Sequence, residues 1–296
     1  MNETDWLAQQ FEQHRAHLHA VAYRMLGSFA EADDAVQEAW VRFRRTDTTN
    51  VDNLGGWLTT VASRVCLNLL RSRATRPEDP LDDAHVPDLI VSIEGTTNPE
   101  TEALLADSVG LALLVVLDTL PPAERMAFVL HDMFGVSFEE IATIVDRSPT
   151  ASRQLASRAR RRVRGAAPAT AHDVERRRRV VDAFFAAARG GSFEALIAVL
   201  DPDIVLRADF GATAASAVVR GAEAVAGRAV MFADPSRVLT PAVINGGPGV
   251  VVAVDGRVVS VMAFTVIDDR ITAIDTLGDP ERLAALEIAG LDIHRG

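Results

Sequence analysis

The stretch Ser137–Val163, SFEEIATIVDRSPTASRQLASRARRRV, decides the fold of its half of the chain. Ser137 and Glu140 stand at capping-box spacing ahead of apolar Ile141, Ala142, Ile144 and Val145. Ser148 precedes Pro149, and proline suits a first helical position because the N–H it lacks would have no partner there. Only Asp146 and Arg147 separate the two expected helices, which is the signature of a helix-turn-helix. In the second helix Ala151, Leu155, Ala159 and Val163 recur every four residues as an apolar stripe, leaving Thr150, Arg153, Gln154, Ser157, Arg158 and Arg161 exposed. Such side chains reach base edges and phosphates in a major groove. Residues 147–164 hold seven arginines and no acid. A solvated face is the commoner fate of a charge run, but arginines without an acid four residues away repel one another, and a polyanion relieves that repulsion.

Upstream, Ala32, Ala35, Val36, Ala39, Trp40 and Phe43 fit one face of a helix, and Asp33, Asp34, Gln37 and Glu38 form an acidic patch on the other. A turn-rich loop, Thr46–Gly56, with Asp47, Asn50, Asp52, Asn53 and paired glycines, precedes a second helical stripe of Trp57, Leu58, Val61, Ala62, Val65 and Leu69. Arg64, Asn68 and Arg71 share one face of that helix. Residues 76–107, with four prolines and nine acids against one arginine, are expected to be an extended linker that need not pack. A second linker spans 165–173.

The remaining chain changes class. A helix with Val180, Val181, Phe184, Phe185 and Ala188 ends at Gly190-Gly191, and a short helix runs to Leu200. Strands follow near Ile204-Val205, Val250–Val254, Val258–Phe264 and Ile271–Ile274, with hairpin turns at Asp255-Gly256 and, more loosely, Asp268-Asp269. Asp209 and Asp275 could act as bases in a pocket of this α+β part, but no histidine stands near them in sequence, His294 being almost terminal.

The 296 residues suffice for about two ordinary domains. All 30 basic residues are arginine, which removes lysine chemistry such as a P-loop amine or a Schiff base. A single cysteine, Cys66, excludes an internal disulfide or a zinc cluster and suits a reducing compartment. The N-terminus is acidic and no apolar run reaches ~18 residues, so a cytoplasmic protein without a membrane span is expected. The net charge of −11 hides the arginine segment in mid-chain.

Taken together, ADDAVQEAW (32–40) resembles the core-polymerase-binding helix of sigma region 2, and WLTTVASRVCLNLLRSR (57–73) its −10 reading helix. LPPAERMAFVL (120–130) and the helix-turn-helix after it resemble sigma region 4, which reads the −35 element. The chain is similar to the extracytoplasmic-function sigma factors over residues 6–166. Its tail resembles the SnoaL-like cone fused to one subgroup of them, through NGGPGVVV (245–252), DGRVV (255–259), DRITAI (269–274) and GDPERL (278–283). That subgroup's linker and loop motifs are not kept: HVPDLI (85–90) and DFGAT (209–213) stand in their places.

The resemblance implies a multidomain fold of two all-α sigma domains, 1–75 and 108–166, then an α+β SnoaL-like cone, 174–296, joined by linkers 76–107 and 167–173. It implies a transcription initiation factor without catalysis, cofactor or metal, whose partners are core RNA polymerase and promoter DNA. Arg153, Gln154, Arg158 and Arg161 would face the −35 groove, and Arg64, Asn68 and Arg71 the −10 strand. Asn53 would hydrogen-bond a flipped base, Asp33, Asp34, Gln37 and Glu38 would meet the polymerase clamp, and the cone could host a small ligand. The rival readings are a helix-turn-helix regulator with a ligand-sensing tail and a SnoaL-like enzyme with a DNA-binding head.

Overall fold

The computed structural model describes residues 3–46, 51–75, 84–93, 110–163, 171–211, 216–229, 234 and 236–286. The turn formers Asp47 and Asn50, three of the four linker prolines, Thr213 and His294 lie outside them, as does most of the second linker. The chain divides into two compact units, Met1–Pro80 with Leu114–Arg164, and Leu81–Leu113 with Gly165–Gly296.

The first unit is helical. Helices α1 (Glu3–Leu26), α2 (Phe29–Phe43) and α3 (Leu54–Thr75) pack together. The expected stripe of α2 is buried at Ala32, Ala35, Val36, Ala39 and Phe43, with Trp40 half-buried. Its three alanines let α2 approach its neighbours closely, while Phe11, Phe43 and Leu58 fill the centre. On α3 the buried face is Leu58, Ala62, Val65, Cys66 and Leu70, rotated from the expected one, so that Val61 and Leu69 are half-exposed. The rotation follows from a second set of neighbours: α5 (Pro122–Phe128) and α6 (Phe138–Val145) also pack on α3.

Helix α4 (Leu111–Asp118) leads into α5, which continues through one π-helical turn, Val129–Met133. The capping box of Ser137 and Glu140 forms as expected. Asp146 adopts the left-handed conformation (φ 58°) that ends α6, and the Ser148 hydroxyl accepts from the Ala151 N–H at the start of α7 (Pro149–Val163). The buried side of α7 is Ser152, Ala156 and Ala159; Ala151, Leu155 and Val163 of the expected stripe are only half-buried.

The second unit is a seven-stranded sheet, order β1-β4-β5-β6-β7-β2-β3, wrapped on α8 (Ala171–Arg189) and α9 (Phe193–Val199). The strands are β1 (Val91–Ile93), β2 (Leu200–Asp209), β3 (Ala217–Arg220), β4 (Arg237–Ile244), β5 (Gly247–Val254), β6 (Arg257–Ile267) and β7 (Arg270–Leu277). Every pairing is antiparallel except β2 with β7. Both expected hairpin turns form, with positive φ at Asp255 and Gly256 and at Asp268 and Asp269, and Asn245-Gly246 makes a third. Positive φ at both central residues matches the right-handed twist of the flanking strands. Phe184 and Phe185 of α8 meet Phe264, Met262, Val250 and Ile274 on one face of the sheet. Helix α10 (Ala222–Ala229) adds Val225 and Ala226 to that core, and α11 (Pro280–Ala285) packs on β6.

One expectation fails here. Within the linker 76–107, residues 84–93 are not a free tether but a strap on the sheet. Ala84, Val86, Leu89, Ile90 and Val91 are buried, and β1 pairs with β4. The strap runs from the end of β2, where Val86 N–H donates to Asp209, to the β4–β5 turn, where Ile90 exchanges hydrogen bonds with Asn245. Those strands stand four places apart, so the strap crosses the sheet. Alternation puts Asp209, Asp275, Val251, Val261 and Leu277 on the face away from α8, and all five are buried. Apolar residues every few positions outweigh the acids and prolines that suggested a solvated tether.

Ending the chain near residue 168 should therefore strip the cover from the strap's apolar residues and leave β1 unpaired. The truncated protein is expected to bind a hydrophobic dye and to aggregate, and Leu89→Asp with Ile90→Asp should restore its solubility. Light scattering and dye fluorescence check both outcomes.

Candidate nucleic-acid interface

Helix α7 presents Thr150, Arg153, Gln154, Ser157, Arg158 and Arg161 as exposed side chains. Its arginines are not unpaired, as the absence of nearby acids in sequence suggested. Glu124 of α5, almost fully buried, forms an ion pair with Arg158, whose Nε lies 3.1 Å from Oε1, and accepts a hydrogen bond from Arg162 Nη1 at 2.9 Å. Asp132 of the π-helical turn accepts from Arg160 Nε at 2.6 Å. The Arg153 guanidinium stands 5.1 Å from the centroid of the Phe138 ring, which itself stacks on His131 at 3.9 Å. Arg160, Arg161 and Arg162 occupy the last turn of α7, where the helix dipole favours cations. Adjacent Arg125 is buried and paired with Asp118, and it donates to the Arg24 carbonyl. Glu124 and Arg125 were missed in sequence because their partners lie on other helices.

In the region-2-like helices, Asp33, Asp34 and Gln37 are exposed and Glu38 is half-exposed, all on one side of α2. Asp33 Oδ1 lies 3.3 Å from His19 Nε2, and Glu38 accepts from Arg42 at 2.8 Å. Arg64, Asn68 and Arg71 are exposed along α3, but Arg64 also donates to the Thr143 carbonyl of α6 at 3.0 Å. Asn53 serves first as a cap: its Oδ1 accepts from Gly56 N–H at 2.9 Å. It also lines a cleft of about 360 Å³ with His14, His17, Thr59, Phe134 and Glu140. The C-terminal end of α3 is tied down by Arg73, which pairs with Glu31 and donates to the Leu26 carbonyl.

The cone brings His85 to Asp209, an association invisible in sequence because the two are far apart along the chain. His85 Nδ1 lies 3.3 Å from Asp209 Oδ2. Arg282 donates to the same oxygen at 2.7 Å, to the Val86 carbonyl at 2.6 Å and to Asp88 at 2.8 Å. Burial would raise the Asp209 pKa, but hydrogen bonds from His85, Val86 N–H and Gly211 N–H, with the charge of Arg282, bring it down to about 2. So acidic a group is a poor general base. For Asp275 burial dominates and pushes the carboxyl up, against the pull of Arg207 at 3.0 Å. It is 1% exposed and no substrate reaches it. Among the described residues no His/Cys/Asp/Glu cluster could hold a metal ion, and no helix is long and apolar enough to cross a membrane. Cys66 is buried, its thiol pushed up to about 12 by desolvation, which leaves it unreactive.

Two family models match, sigma-70 region 2 over residues 10–76 and sigma-70 region 4 over residues 110–163. The probable extracytoplasmic-function RNA polymerase sigma factor SigI of Mycobacterium tuberculosis is 35% identical over 288 residues, which cover 97% of this chain and 98% of that one. This chain belongs to the extracytoplasmic-function sigma factors. SigJ of the same organism is 36% identical over 92% of each chain. The SigJ crystal structure superposes with a TM-score of 0.72 at 32% identity, covering 95% of this chain and 99% of that one. The sigma factor thus has two helical sigma regions followed by a mixed α/β domain, and it serves transcription initiation.

Asp209 supplies a pH test. Its pKa in the folded cone is about 2, below the ordinary 3.8, so its stabilisation is complete above pH ~4 and is lost as pH falls towards 2. That amounts to about 2 kcal/mol. Asp209→Asn should destabilise the cone near neutrality and flatten its acid transition over that window. All three tryptophans, Trp6, Trp40 and Trp57, belong to the helical unit. Far-ultraviolet circular dichroism should therefore register the change while tryptophan fluorescence does not.

Proposed function

We propose that this sigma factor reads the −35 element with α7 and the −10 element with α3, and that it meets core RNA polymerase through the acidic side of α2. The observation that carries the reading is α7 itself: an exposed face of Thr150, Gln154, Ser157 and Arg161, edged by arginines and preceded by a capped two-helix turn. Base edges accept and donate to Gln, Ser and Thr, and arginine takes guanine or phosphate. On α3, Arg64, Asn68 and Arg71 would run along the −10 strand. A flipped base would enter the cleft beside Asn53, whose Nδ2 is left to meet a base edge once Oδ1 has capped the helix. Release of Arg64 from Thr143 accompanies that engagement. The division into 1–75, 76–107, 108–166, 167–173 and 174–296 remains our functional partition, with the strap acting as part of the cone. A small ligand in the cone would use the cleft of about 550 Å³ lined by Ile197, Leu200, Arg220 and Arg270, because Asp209 and Asp275 are closed by their partners.

Run-off transcription tests this reading against the two rivals. Added to bare core polymerase, the sigma factor should start transcription at a defined promoter; a regulator would need a holoenzyme already assembled, and an enzyme would show turnover by the tail. Within the same assay, Asp34→Arg with Glu38→Arg should weaken capture by core polymerase at least tenfold. Melting should change little, because exposed substitutions usually stay within ~0.5 kcal/mol. A doubly reversed protein that binds polymerase like the parent removes the acidic face from the interface.

A further inference from the structure

Helical geometry sorts the arginines of α7 by direction. At about 100° per residue, buried Ser152, Ala156 and Ala159 mark the inward side. Thr150, Gln154 and Arg161 then form a crest opposite to it. Arg158 and Arg162 lie on one flank, Arg153 and Arg160 on the other. A helix with its side chains is about 10–12 Å across and the major groove about 12 Å wide. A helix seated there offers its crest to base edges and its flanks to the two phosphate walls.

Glu124 underlies one flank. One carboxylate oxygen accepts an N–H from Arg162, the other lies in ion-pair contact with Arg158 Nε at 3.1 Å, and the Glu124 side chain is 8% exposed. Buried acid of this kind has no water to turn to, so the two arginines are its counter-charge. Each guanidinium carries five N–H donors in a rigid fork. The contact with Glu124 uses at most one of them, and both arginine side chains remain half-exposed, at 49% and 52%.

We propose that Glu124 is a positioning residue for DNA binding, holding Arg158 and Arg162 as a preset pair of phosphate clamps on one wall of the groove. The inference rests on the assignment of α7 to the groove and adds a function to a buried acid outside the DNA-facing surface. Two effects of the carboxylate oppose each other. It lowers the positive charge that phosphates meet, and it removes rotamer freedom that two long side chains would otherwise lose on binding. Ordering wins, because the carboxylate stands behind the guanidinium groups and its repulsion of phosphate is screened by salt, while the order it imposes acts at contact distance.

The test uses the full-length chain and a fluorescein-labelled DNA duplex of arbitrary sequence, about 20 base pairs long, since phosphate contacts are sequence-independent. Anisotropy is followed from about 50 to about 200 mM salt. Arg158→Gln with Arg162→Gln should flatten the slope of log K against log salt by about 1.8, or 0.9 for each phosphate. Glu124→Gln keeps the shape of the side chain and both phosphate contacts; it should weaken binding about tenfold across the salt range and leave the slope unaltered. Should Glu124→Gln melt early, Arg158→Lys with Arg162→Lys is read instead, and the same slope with weaker binding is expected, because lysine keeps the charge and loses the fork. Unchanged or tighter binding by Glu124→Gln overturns the proposal, as does an unflattened slope in the double glutamine variant. Arg153→Gln with Arg161→Gln separates the levels. A slope insensitive to that pair removes α7 from the DNA altogether, whereas a slope sensitive to it and insensitive to Arg158 and Arg162 removes only the clamp.

Discussion

A guanidinium paired with a carboxylate from another segment fixes one part of the chain on another at each critical place in this sigma factor. Arg158 and Arg162 on Glu124 hold α7 against α5, Arg73 on Glu31 holds the end of α3, and Arg282 on Asp209 and Asp88 holds the strap on the cone. With no lysine in the chain, every such contact can use a planar fork instead of a point charge. The fork explains why Arg282 alone can engage two carboxylates and the Val86 carbonyl. It also explains why Glu124 can bear two arginines without taking either away from solvent.

What could be read in the sequence was local chemistry. The capping box at Ser137, the proline opening α7, and the Asp255-Gly256 and Asp268-Asp269 turns each depend on residues within a few positions of one another, and all four form. The stripe of α2 was equally plain, because its alanines repeat at helical spacing over several turns. What escaped depended on distant partners. Strand β4 carries Pro241 and polar Thr240 and reads as a strand only beside β5, and β1 is three residues long within an acidic, proline-containing segment. Glu124 and Asp132 look like ordinary surface acids until α7 lies across them.

The candidate interface divides along the same line. That the six α7 side chains are exposed followed from periodicity, and the structure places them so. Which arginines have partners did not follow, because the periodicity of one helix says nothing about carboxylates delivered by another. Asn53 shows a further limit: a polar residue ahead of a helix serves the cap first, and its side-chain amide alone remains for recognition.

The strap alters how the acidity between the two sigma regions has to be understood. Segment 76–107 has nine acids and one arginine, which as a free chain would form a mobile negative cloud able to compete with DNA for the arginines of α7. Asp88, in the centre of that segment, is bonded instead to Arg282, while Val86 and Ile90 on either side of it give their N–H groups to Asp209 and Asn245. Each of these contacts ends on a side chain of the cone, and the Asp209 carboxylate stays ionised down to pH ~2. At neutral pH the Asp209 carboxylate itself takes up no proton. Competition for the same donors and acceptors, or movement of the strands that carry them, would loosen the contact. Within the described residues 84–93, what holds the strap to the cone is hydrogen-bonded backbone, the Asp88–Arg282 pair and the buried Val86, Leu89 and Ile90.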